Sequence, residues 1–246
     1  MRIDLNADLG EGCAHDEAIL DSVSSINVAC AWHAGSAEEM LSLVRAARRR
    51  GVAIGAHPSF PDRANFGRKE MSLPLTSIRA GLLYQIGALD GIVRAEGGEL
   101  AHVKAHGALY NQAARDPELA RCIACAIRDF NPRLKVMGLA ASLFIDAVRA
   151  EGLQALEEGF ADRRYTAEGH LVKRGTAGAL IEDESAMLAQ VLSMVKTGSV
   201  TGQDGTVCHV HVDTICLHGD APHALAFAQA IRARLQHEGV EVAPCA

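Results

Sequence analysis

The sequence has no apolar run that approaches the roughly 18 residues needed for a membrane-spanning helix. Its first residues also lack the basic and apolar segments of a secretory signal peptide. Basic residues are not in excess, since 24 lysines and arginines stand against 30 aspartates and glutamates for a net charge of -6. Nucleic acids and membrane surfaces are bound by basic patches, so we expect neither as a partner and expect a soluble, cytoplasmic protein.

Other features that the sequence lacks further restrict the class of protein. The seven cysteines are odd in number and Cys122-Ile-Ala-Cys125 has no second matching pair, so neither a disulfide framework nor a zinc ribbon is expected. There is no glycine-rich phosphate loop, so a nucleotide would bind in another manner or on a partner. No linker rich in proline or serine and no fixed-period repeat divides the 246 residues. We therefore predict one domain over residues 1–246, which would bury roughly 70% of its unfolded surface.

Short apolar runs alternate with helix-length amphipathic segments from end to end, and this alternation indicates repeated β/α units around a parallel sheet. The segment Ala37–Arg50 is the clearest helix, with Ser36 as its N-cap and Gly51 at its end. The predicted strands are residues 2–8, 26–30, 52–56, 100–104, 134–140, 153–158 and 207–217. The pattern predicts an α/β fold, a seven-stranded (β/α) barrel of the TIM type, with its chemistry at the C-terminal ends of the strands.

Two segments interrupt the alternation. Residues 58–74 form a long stretch rich in proline, glycine and charge after the third predicted strand. Residues 160–182 contain turn residues between short alternating runs from Tyr165 to Lys173, which is typical of a hairpin. Long loops at strand ends usually carry or cover a site, so we expect the hairpin to lie over the barrel mouth.

Several residues suited to chemistry follow predicted strands. Asp8 lies where a carboxylate could act as a base or a metal ligand, or could merely tie down its own loop through backbone hydrogen bonds. His33 and His57 would come from adjacent strand ends, so with Asp8 they could form a metal site of one carboxylate and two imidazoles. A site held together only by hydrogen bonds fits the same residues.

Lys104 and His106 alternate on the fourth predicted strand and should point the same way. A buried lysine needs an anionic partner, which is either a substrate carboxylate or phosphoryl group or an internal carboxylate, Glu158 or Asp162. Arg163 adds a bidentate anion binder beyond the sixth strand.

A further set of polar residues, His209, His211 and Asp213, also alternates. This set could be mistaken for a metal site, but it begins well before the strand end where the other polar groups gather. We interpret it as the polar face of the last strand.

A series of ordered motifs extends over nearly the whole chain. They are Asp4–Gly12, Ala29–Gly35, Gly55–Pro58, Asn65–Arg68, Tyr84–Leu89, Val103–Asn111, Phe160–Arg163 and Cys216–Asp220. Together they resemble the LamB/YcsF lactam-utilisation family. The resemblance implies a barrel related to the glycoside hydrolase and deacetylase superfamily. It also implies a hydrolase acting on a cyclic amide, as one of the three subunits of an ATP-dependent 5-oxoprolinase that opens 5-oxo-L-proline to L-glutamate.

The activity implied by the resemblance assigns roles to the candidate residues. We expect Asp8 to act as the base and His57 or His106 to protonate the departing nitrogen. The expected substrate-binding residues are Asn6, Glu11, Lys104, Asn111, Glu158, Asp162, Arg163, His218 and Asp220. ATP would be bound or used with the two partner subunits, and a divalent metal is an option at Asp8, His33 and His57. The alternatives are a metal-dependent deacetylase acting on an N-acetyl sugar and a non-catalytic subunit that binds 5-oxoproline.

The chain departs from the usual family pattern in its second motif. Ala31, Trp32 and Ser36 replace a glycine, a phenylalanine and an aspartate, and Ala105 stands where proline is usual. We expect Trp32 to narrow the barrel mouth and the change at Ser36 to remove a carboxylate from it.

Overall fold

A computed structural model of the chain describes residues 1–218 and 223–245, except for the side chain of His218. The strands are β1 (Arg2–Leu9), β2 (Ser25–Ala29), β3 (Ala53–His57), β4 (His102–Lys104), β5 (Lys135–Leu139), β6 (Ala155–Phe160), β7 (Ser199–Thr201), β8 (Val207–His209), β9 (Thr214–His218) and β10 (Glu241–Val242). Within the described residues, seven of them, β1 to β6 and β9, form a parallel barrel that β1 closes against β9, and β10 pairs in parallel with the start of β1. The predicted seven-stranded barrel is thus confirmed.

Helices connect the strands and cover the outside of the barrel. They are α1 (Asp16–Ile19), α2 (Ala37–Arg50), α3 (Leu75–Ala95), α4 (Gly107–Ala113), α5 (Pro117–Phe130), α6 (Leu143–Ala150), α7 (Glu184–Thr197) and α8 (Ala224–His237). In α2 the Ser36 hydroxyl accepts the N–H of Glu39, and Gly51 ends the helix at a φ of 69°. Both ends of this helix were predicted, because capping residues satisfy backbone groups that a helix terminus leaves unpaired. No helix in the described part of the chain is long and apolar enough to cross a bilayer.

The prediction of one strand over residues 207–217 was wrong. The segment contains β8, which pairs in antiparallel fashion with β7, and the barrel strand β9. Between them His211 is exposed and contacts Asp213, whose second carboxylate oxygen accepts the N–H of Glu157 at 2.8 Å. The alternation of His209, His211 and Asp213 therefore does not form one strand face. Period-two alternation is equally compatible with one long strand and with two short strands joined by a bend.

The inside of the barrel is polar, whereas β/α barrels are usually filled by layers of branched apolar side chains. Alternation on β1 directs Asp4, Asn6 and Asp8 inward, and the apolar residues between them face the helices. The Asn6 amide donates to Glu158 Oε1 at 3.0 Å and to Thr214 Oγ1 at 2.7 Å. A hydrogen-bonded network thus extends through the barrel to the C-terminal ends of the strands, where it supports the candidate site.

Candidate active site

Asp8 lies at the floor of a cleft at the C-terminal end of the barrel and is held from below. Its Oδ1 accepts hydrogen bonds from Lys104 Nζ at 2.9 Å and from Asn27 Nδ2 at 2.8 Å. Its Oδ2 lies 3.4 Å from His57 Nε2. One carboxylate oxygen is thus fixed by the barrel interior, and the other lies toward the histidines.

Lys104 occupies the centre of the barrel and is 2% exposed. Its ammonium group contacts Asp8 Oδ1, Glu158 Oε1 at 2.8 Å, Asn6 Oδ1 at 3.3 Å and Cys216 Sγ at 3.1 Å. Burial alone would lower the pKa of Lys104, but the neighbouring carboxylates raise it well above its usual value. Of the two partners considered from the sequence, the structure shows the internal one. Lys104 contacts two carboxylates, those of Asp8 and Glu158, so its charge is already matched without a substrate anion.

Glu158 and Asn6, both expected to bind substrate, lie beneath the floor of the cleft and are 0% exposed. Glu158 Oε2 accepts the hydroxyl of Tyr110 at 2.7 Å, while Oε1 faces Lys104 and the Asn6 amide. These two residues therefore support Lys104 and do not face the cleft. Their effect on a substrate would be transmitted through Asp8.

Four donor groups form a compact cluster beside Asp8, which we call the histidine cluster: Glu11, His33, His57 and His106. One ligand atom from each lies within 4.8 Å of all the others. Glu11 Oε1 is 3.0 Å from His33 Nε2, 3.2 Å from His106 Nδ1 and 3.8 Å from His57 Nε2. His33 and His57 were predicted as metal ligands, but Glu11 and His106 complete this cluster where Asp8 had been expected.

Backbone carbonyls orient two of the imidazoles. His57 Nδ1 donates to the carbonyl of Lys104, and His106 Nε2 donates to the carbonyl of Phe66, both at 2.8 Å. Phe66 has a φ of 56° and Gly67 follows with a φ of 63°. A Cβ at Gly67 would lie 2.9 Å from both the His106 and the His33 side chains, so only glycine lets the loop come this close. The long loop after β3 therefore reaches the site, as predicted.

The histidines differ in their affinity for protons. Burial lowers the pKa of His33 to about 4, and it also lowers the pKa of His106. Burial opposes protonation of His57 as well, but the nearby Asp8 carboxylate outweighs it and raises the pKa of His57. Burial would raise the pKa of Glu11, yet hydrogen bonds from His106 and His33 hold it below its usual value. His57 is thus the most basic of the three imidazoles.

The cleft above Asp8 has a volume of about 410 Å3. Apolar side chains, among them Phe160 and Leu139, form part of its wall. Its cationic lining residues are Arg68, Lys104, Arg115, Arg163, Lys173 and Arg174. Glu70 also lines the cleft, and it is paired with Arg115 at 2.6 Å. This positive lining, on a chain whose net charge is -6, favours a small anionic ligand.

Residues 163–174 cover one side of the cleft as the predicted hairpin. Thr166 N–H donates to the carbonyl of His170 at 2.7 Å, and Val172 N–H donates to the carbonyl of Arg164 at 2.9 Å. Arg163 is 4% exposed; its Nη2 donates to the carbonyl of Val172, while its Nε has no hydrogen-bond partner among the described residues. Burial lowers the pKa of Arg163 to about 10. A guanidinium at a cleft wall is suited to binding a carboxylate.

The four remaining predicted site residues, Asn111, Asp162, His218 and Asp220, do not all lie in the cleft. Asn111 lines the cleft and donates to the carbonyl of Gly107 at 2.9 Å. Asp162 is buried next to Arg163, and its carbonyl accepts the N–H of Ile181. His218 ends β9 with its backbone opposite Asp8, but its side chain, like the whole of Asp220, lies outside the described residues.

Trp32 does not narrow the mouth as expected. Its ring packs against Gly81 of α3, where an added Cβ would lie 2.4 Å from the indole. The centroids of the Trp32 and Tyr84 rings are 6.0 Å apart. The substitution at this position therefore affects packing between the β2 loop and α3.

Sequence reasoning missed Asn27, His102 and Tyr110, which hold the charged groups in place. His102 Nε2 donates to Asn27 Oδ1 at 2.7 Å, and Asn27 in turn donates to Asp8. The sequence did contain a signal for His102, because it is two residues before Lys104 and therefore lies on the same strand face. Asn27 similarly interrupts an apolar strand at an inward position.

The barrel fold defines this chain as a β/α-barrel protein, and solved structures of distant proteins share that fold. The structure of a putative cellobiose-phosphate cleavage protein from Enterococcus faecalis V583 is 12% identical, with coverage of 98% of this chain and 96% of that chain and a TM-score of 0.58. The peptidoglycan deacetylase PdaC from Bacillus subtilis is 13% identical, with coverage of 98% and 86% and a TM-score of 0.51. At these identities the similarity concerns the fold alone.

A much stronger similarity identifies the family. The crystal structure of a lactam utilization protein from Thermus thermophilus is 43% identical, covers 99% of both chains and has a TM-score of 0.92. The model of the LamB/YcsF family matches residues 3–246. The chain belongs to the LamB/YcsF family, which confirms the resemblance found in its sequence motifs.

Proposed function

We propose that this protein is the hydrolytic subunit of an ATP-dependent 5-oxoprolinase, which opens the lactam ring of 5-oxo-L-proline to give L-glutamate. The observation that carries the proposal is the placement of Asp8 beside the histidine cluster in a cleft whose wall contains Arg163. A carboxylate base, a source of positive charge and an anion binder are the groups that hydrolysis of an acidic lactam needs. The similarity to a lactam utilization protein supports the same substrate class.

Each of these groups has a distinct task in the proposed reaction. Arg163 binds the ring carboxylate of the substrate, and the apolar wall at Phe160 and Leu139 contacts the ring. Asp8 removes a proton from the attacking water through Oδ2, because Oδ1 is already occupied by Lys104 and Asn27. The proton that Asp8 takes from water passes to the departing nitrogen, beside His57, which Asp8 makes the most basic imidazole of the histidine cluster. His106 contacts His57 at 3.0 Å and orients it. General acid or base catalysis of this kind contributes about 10²- to 10⁴-fold to a rate.

The requirement for ATP has a chemical explanation in this scheme. A five-membered lactam resists attack by water and recloses readily, so phosphorylation of its carbonyl oxygen would give a better electrophile. The sequence has no glycine-rich phosphate loop. We therefore assign ATP use to the complex with two further subunits, and ring opening to this chain.

The test uses the chain reconstituted with its two partner subunits. With ATP and 5-oxoproline, an Asp8→Asn chain should produce glutamate about 10²- to 10⁴-fold more slowly than wild type, while still binding 5-oxoproline in isothermal titration. Asp204→Asn is the matched control, because Asp204 is an exposed loop residue whose contacts are to Thr206. Unchanged turnover in the Asp8→Asn complex would overturn the assignment of the base.

A second candidate, metal-dependent deacetylation of an N-acetyl sugar, is favoured by the donor atoms of the histidine cluster. Release of acetate from an N-acetylated sugar by the chain alone, without ATP, would support it. Absence of acetate release together with glutamate formation by the complex would support the lactam reaction.

A further inference from the structure

The hydrogen bonds of His57 and His106 leave two lone pairs facing each other. A carbonyl oxygen can only accept, so His57 Nδ1 and His106 Nε2 both carry hydrogen in their contacts with backbone carbonyls. A neutral imidazole has a single N–H. When both imidazoles are neutral, His57 Nε2 and His106 Nδ1 are both unprotonated, and they lie only 3.0 Å apart. Such an approach of two lone pairs requires a proton or a metal ion between the two nitrogens.

Two further donors converge on the same point. Glu11 Oε1 is within 3.8 Å of the facing nitrogens of His57 and His106, and it is 3.0 Å from His33 Nε2. The His33 ring stacks on the His106 ring with centroids 3.7 Å apart and planes inclined by 6°. Its second nitrogen, Nδ1, is buried without a hydrogen-bond partner within residues 1–218 and 223–245. A proton shared by His57 and His106 would satisfy that pair alone, whereas four donor atoms surround one position.

The spacing of these atoms matches a tetrahedral metal site. Bonds of about 2.0–2.1 Å from zinc to nitrogen or oxygen place the ligand atoms roughly 3.3 Å from one another. Four of the six distances between donor atoms in the histidine cluster are 3.0, 3.0, 3.2 and 3.8 Å, and all six are within 4.8 Å. Little movement would therefore be needed to bind an ion.

We propose that Glu11, His33, His57 and His106 bind one divalent transition-metal ion of the zinc type. Three imidazoles and one carboxylate suit Zn²⁺ or Co²⁺, whereas Mg²⁺ prefers six oxygen ligands. When bound, the ion would supply fixed positive charge next to Asp8. The inference concerns the cleft of the proposed reaction but does not depend on its substrate, because metal binding is measured on the chain alone. The metal site and the proposed reaction can therefore be disproved independently of each other.

The first experiment measures metal binding by the full chain, prepared without a histidine tag and freed of metal with a chelator. Isothermal titration with Zn²⁺, and separately with Co²⁺, should show one equivalent bound per chain, with elemental analysis as an independent count. Bound Co²⁺ should give the visible absorption of a four-coordinate nitrogen and oxygen site. Zn²⁺ should also raise the Tm, because a ligand that binds only the folded chain stabilises it. Mg²⁺ should do neither.

Variants locate the binding site. Glu11→Gln and His33→Ala should each weaken Zn²⁺ binding at least as much as the 10- to 100-fold that loss of an outer-shell partner costs. His211→Ala is the matched control, because His211 also lies beside a carboxylate, that of Asp213, but at the surface. Its affinity for Zn²⁺ should equal that of wild type. Circular dichroism establishes that each variant is folded.

Two results would overturn the proposal. One is the absence of any binding heat or Tm shift when the chelated wild-type chain is titrated with Zn²⁺ and Co²⁺. The other is binding that persists unchanged in the Glu11→Gln and His33→Ala chains, which would locate the ion elsewhere. The wild-type titration decides the first result even where a variant does not fold.

Discussion

Gly55 on β3 and His102 on β4 are register partners, and a Cβ added at Gly55 would lie 2.1 Å from His102 Nε2. The absence of a side chain at Gly55 is what allows the His102 imidazole to enter the barrel. That imidazole donates to Asn27, which donates to Asp8. Burial lowers the pKa of His102 to about 3, so it acts as a neutral donor. A glycine on one strand thus determines the orientation of a carboxylate on another.

We predict that Gly55→Ala destabilises the fold and lowers turnover. The added methyl group must displace the His102 ring, and overpacking of this kind costs about 1–3 kcal/mol. Urea unfolding should show the loss, and the reconstituted complex should show a lower kcat. Gly91→Ala is the matched control, because a Cβ at that helical position meets nothing within 4 Å. It should be neutral or slightly stabilising, since alanine favours helices more than glycine does. Equal stability of the two variants would contradict the prediction.

Replacing Lys104 should affect stability more than substrate binding. Lys104→Met leaves the buried carboxylates of Asp8 and Glu158 without their cation, and breaking a buried ion pair costs about 3–5 kcal/mol. Lys196→Met removes an exposed lysine that pairs with Glu238, and surface pairs contribute only about 0–1 kcal/mol. Chemical denaturation of both variants provides the comparison. A loss as small for Lys104 as for Lys196 would show that the internal ion pairs contribute little.

Arg163→Lys should raise KM with little change in kcat. Lysine keeps the charge but cannot reproduce the planar guanidinium that binds a carboxylate through two N–H groups. Losing one charge-assisted hydrogen bond of about 1.5–3 kcal/mol weakens binding roughly 10- to 100-fold. The measurement is steady-state kinetics of the reconstituted complex with 5-oxoproline. Arg164→Lys, at the adjacent exposed position, should leave KM unchanged; a parallel increase in both variants would argue against a specific contact.

Asp16 should make stability depend on pH. Its Oδ2 accepts the N–H of Gly10, next to Glu11 of the histidine cluster, and burial raises the pKa of Asp16 to about 6. The unfolded chain releases this proton near pH 4, roughly the value of a free aspartate. Protonation therefore favours the folded state below that pH, and the contribution is lost as pH rises through 6. We expect Asp16→Asn to abolish this loss.

The measurement is the free energy of unfolding of wild type and Asp16→Asn between pH 4 and pH 7. The difference between them should shift in favour of the variant as pH rises, by on the order of 1 kcal/mol after allowance for solvent screening. Using the difference removes the contribution of other titrating groups. A difference that is constant across this range would mean that Asp16 does not titrate there.

The chain alone should hydrolyse neither ATP nor 5-oxoproline at an appreciable rate. Its sequence has no phosphate-binding loop, and the proposed reaction requires two further subunits. Phosphate and glutamate release would be measured for the isolated chain and for the reconstituted complex, with the Asp8→Asn complex as the blank. Rapid turnover by the pure chain would remove the need for partners.

The barrel could be predicted because each β/α unit has its own local signal. The apolar run before Lys104 and the capped helix at Ala37–Arg50 are examples in which neighbouring residues determine the element. The segment 207–217 failed because the bend after β8 depends on pairing with β7, which lies before it in the chain. Period-two alternation contains no information about the partner strand.

The site was only partly predictable for a similar reason. Residues at strand ends could be grouped at one mouth, since parallel strands end together. Which of them touch depends on distances across the barrel, and these placed Glu11 with the histidines and gave Lys104 two internal carboxylates. Asn27 and His102 were overlooked because a polar residue inside an apolar strand has no visible partner in a linear sequence.

The pairing of β1 with β9 has a consequence for synthesis of the protein. Asp8 leaves the ribosome early, but the strand that closes the barrel beside it ends at His218. At about 5–20 residues per second, the interval between them is roughly 10–40 seconds. During that time β1 lacks one neighbour, and the polar side chains that will fill the barrel remain hydrated. The candidate site is therefore completed late, after nearly the whole chain has been translated.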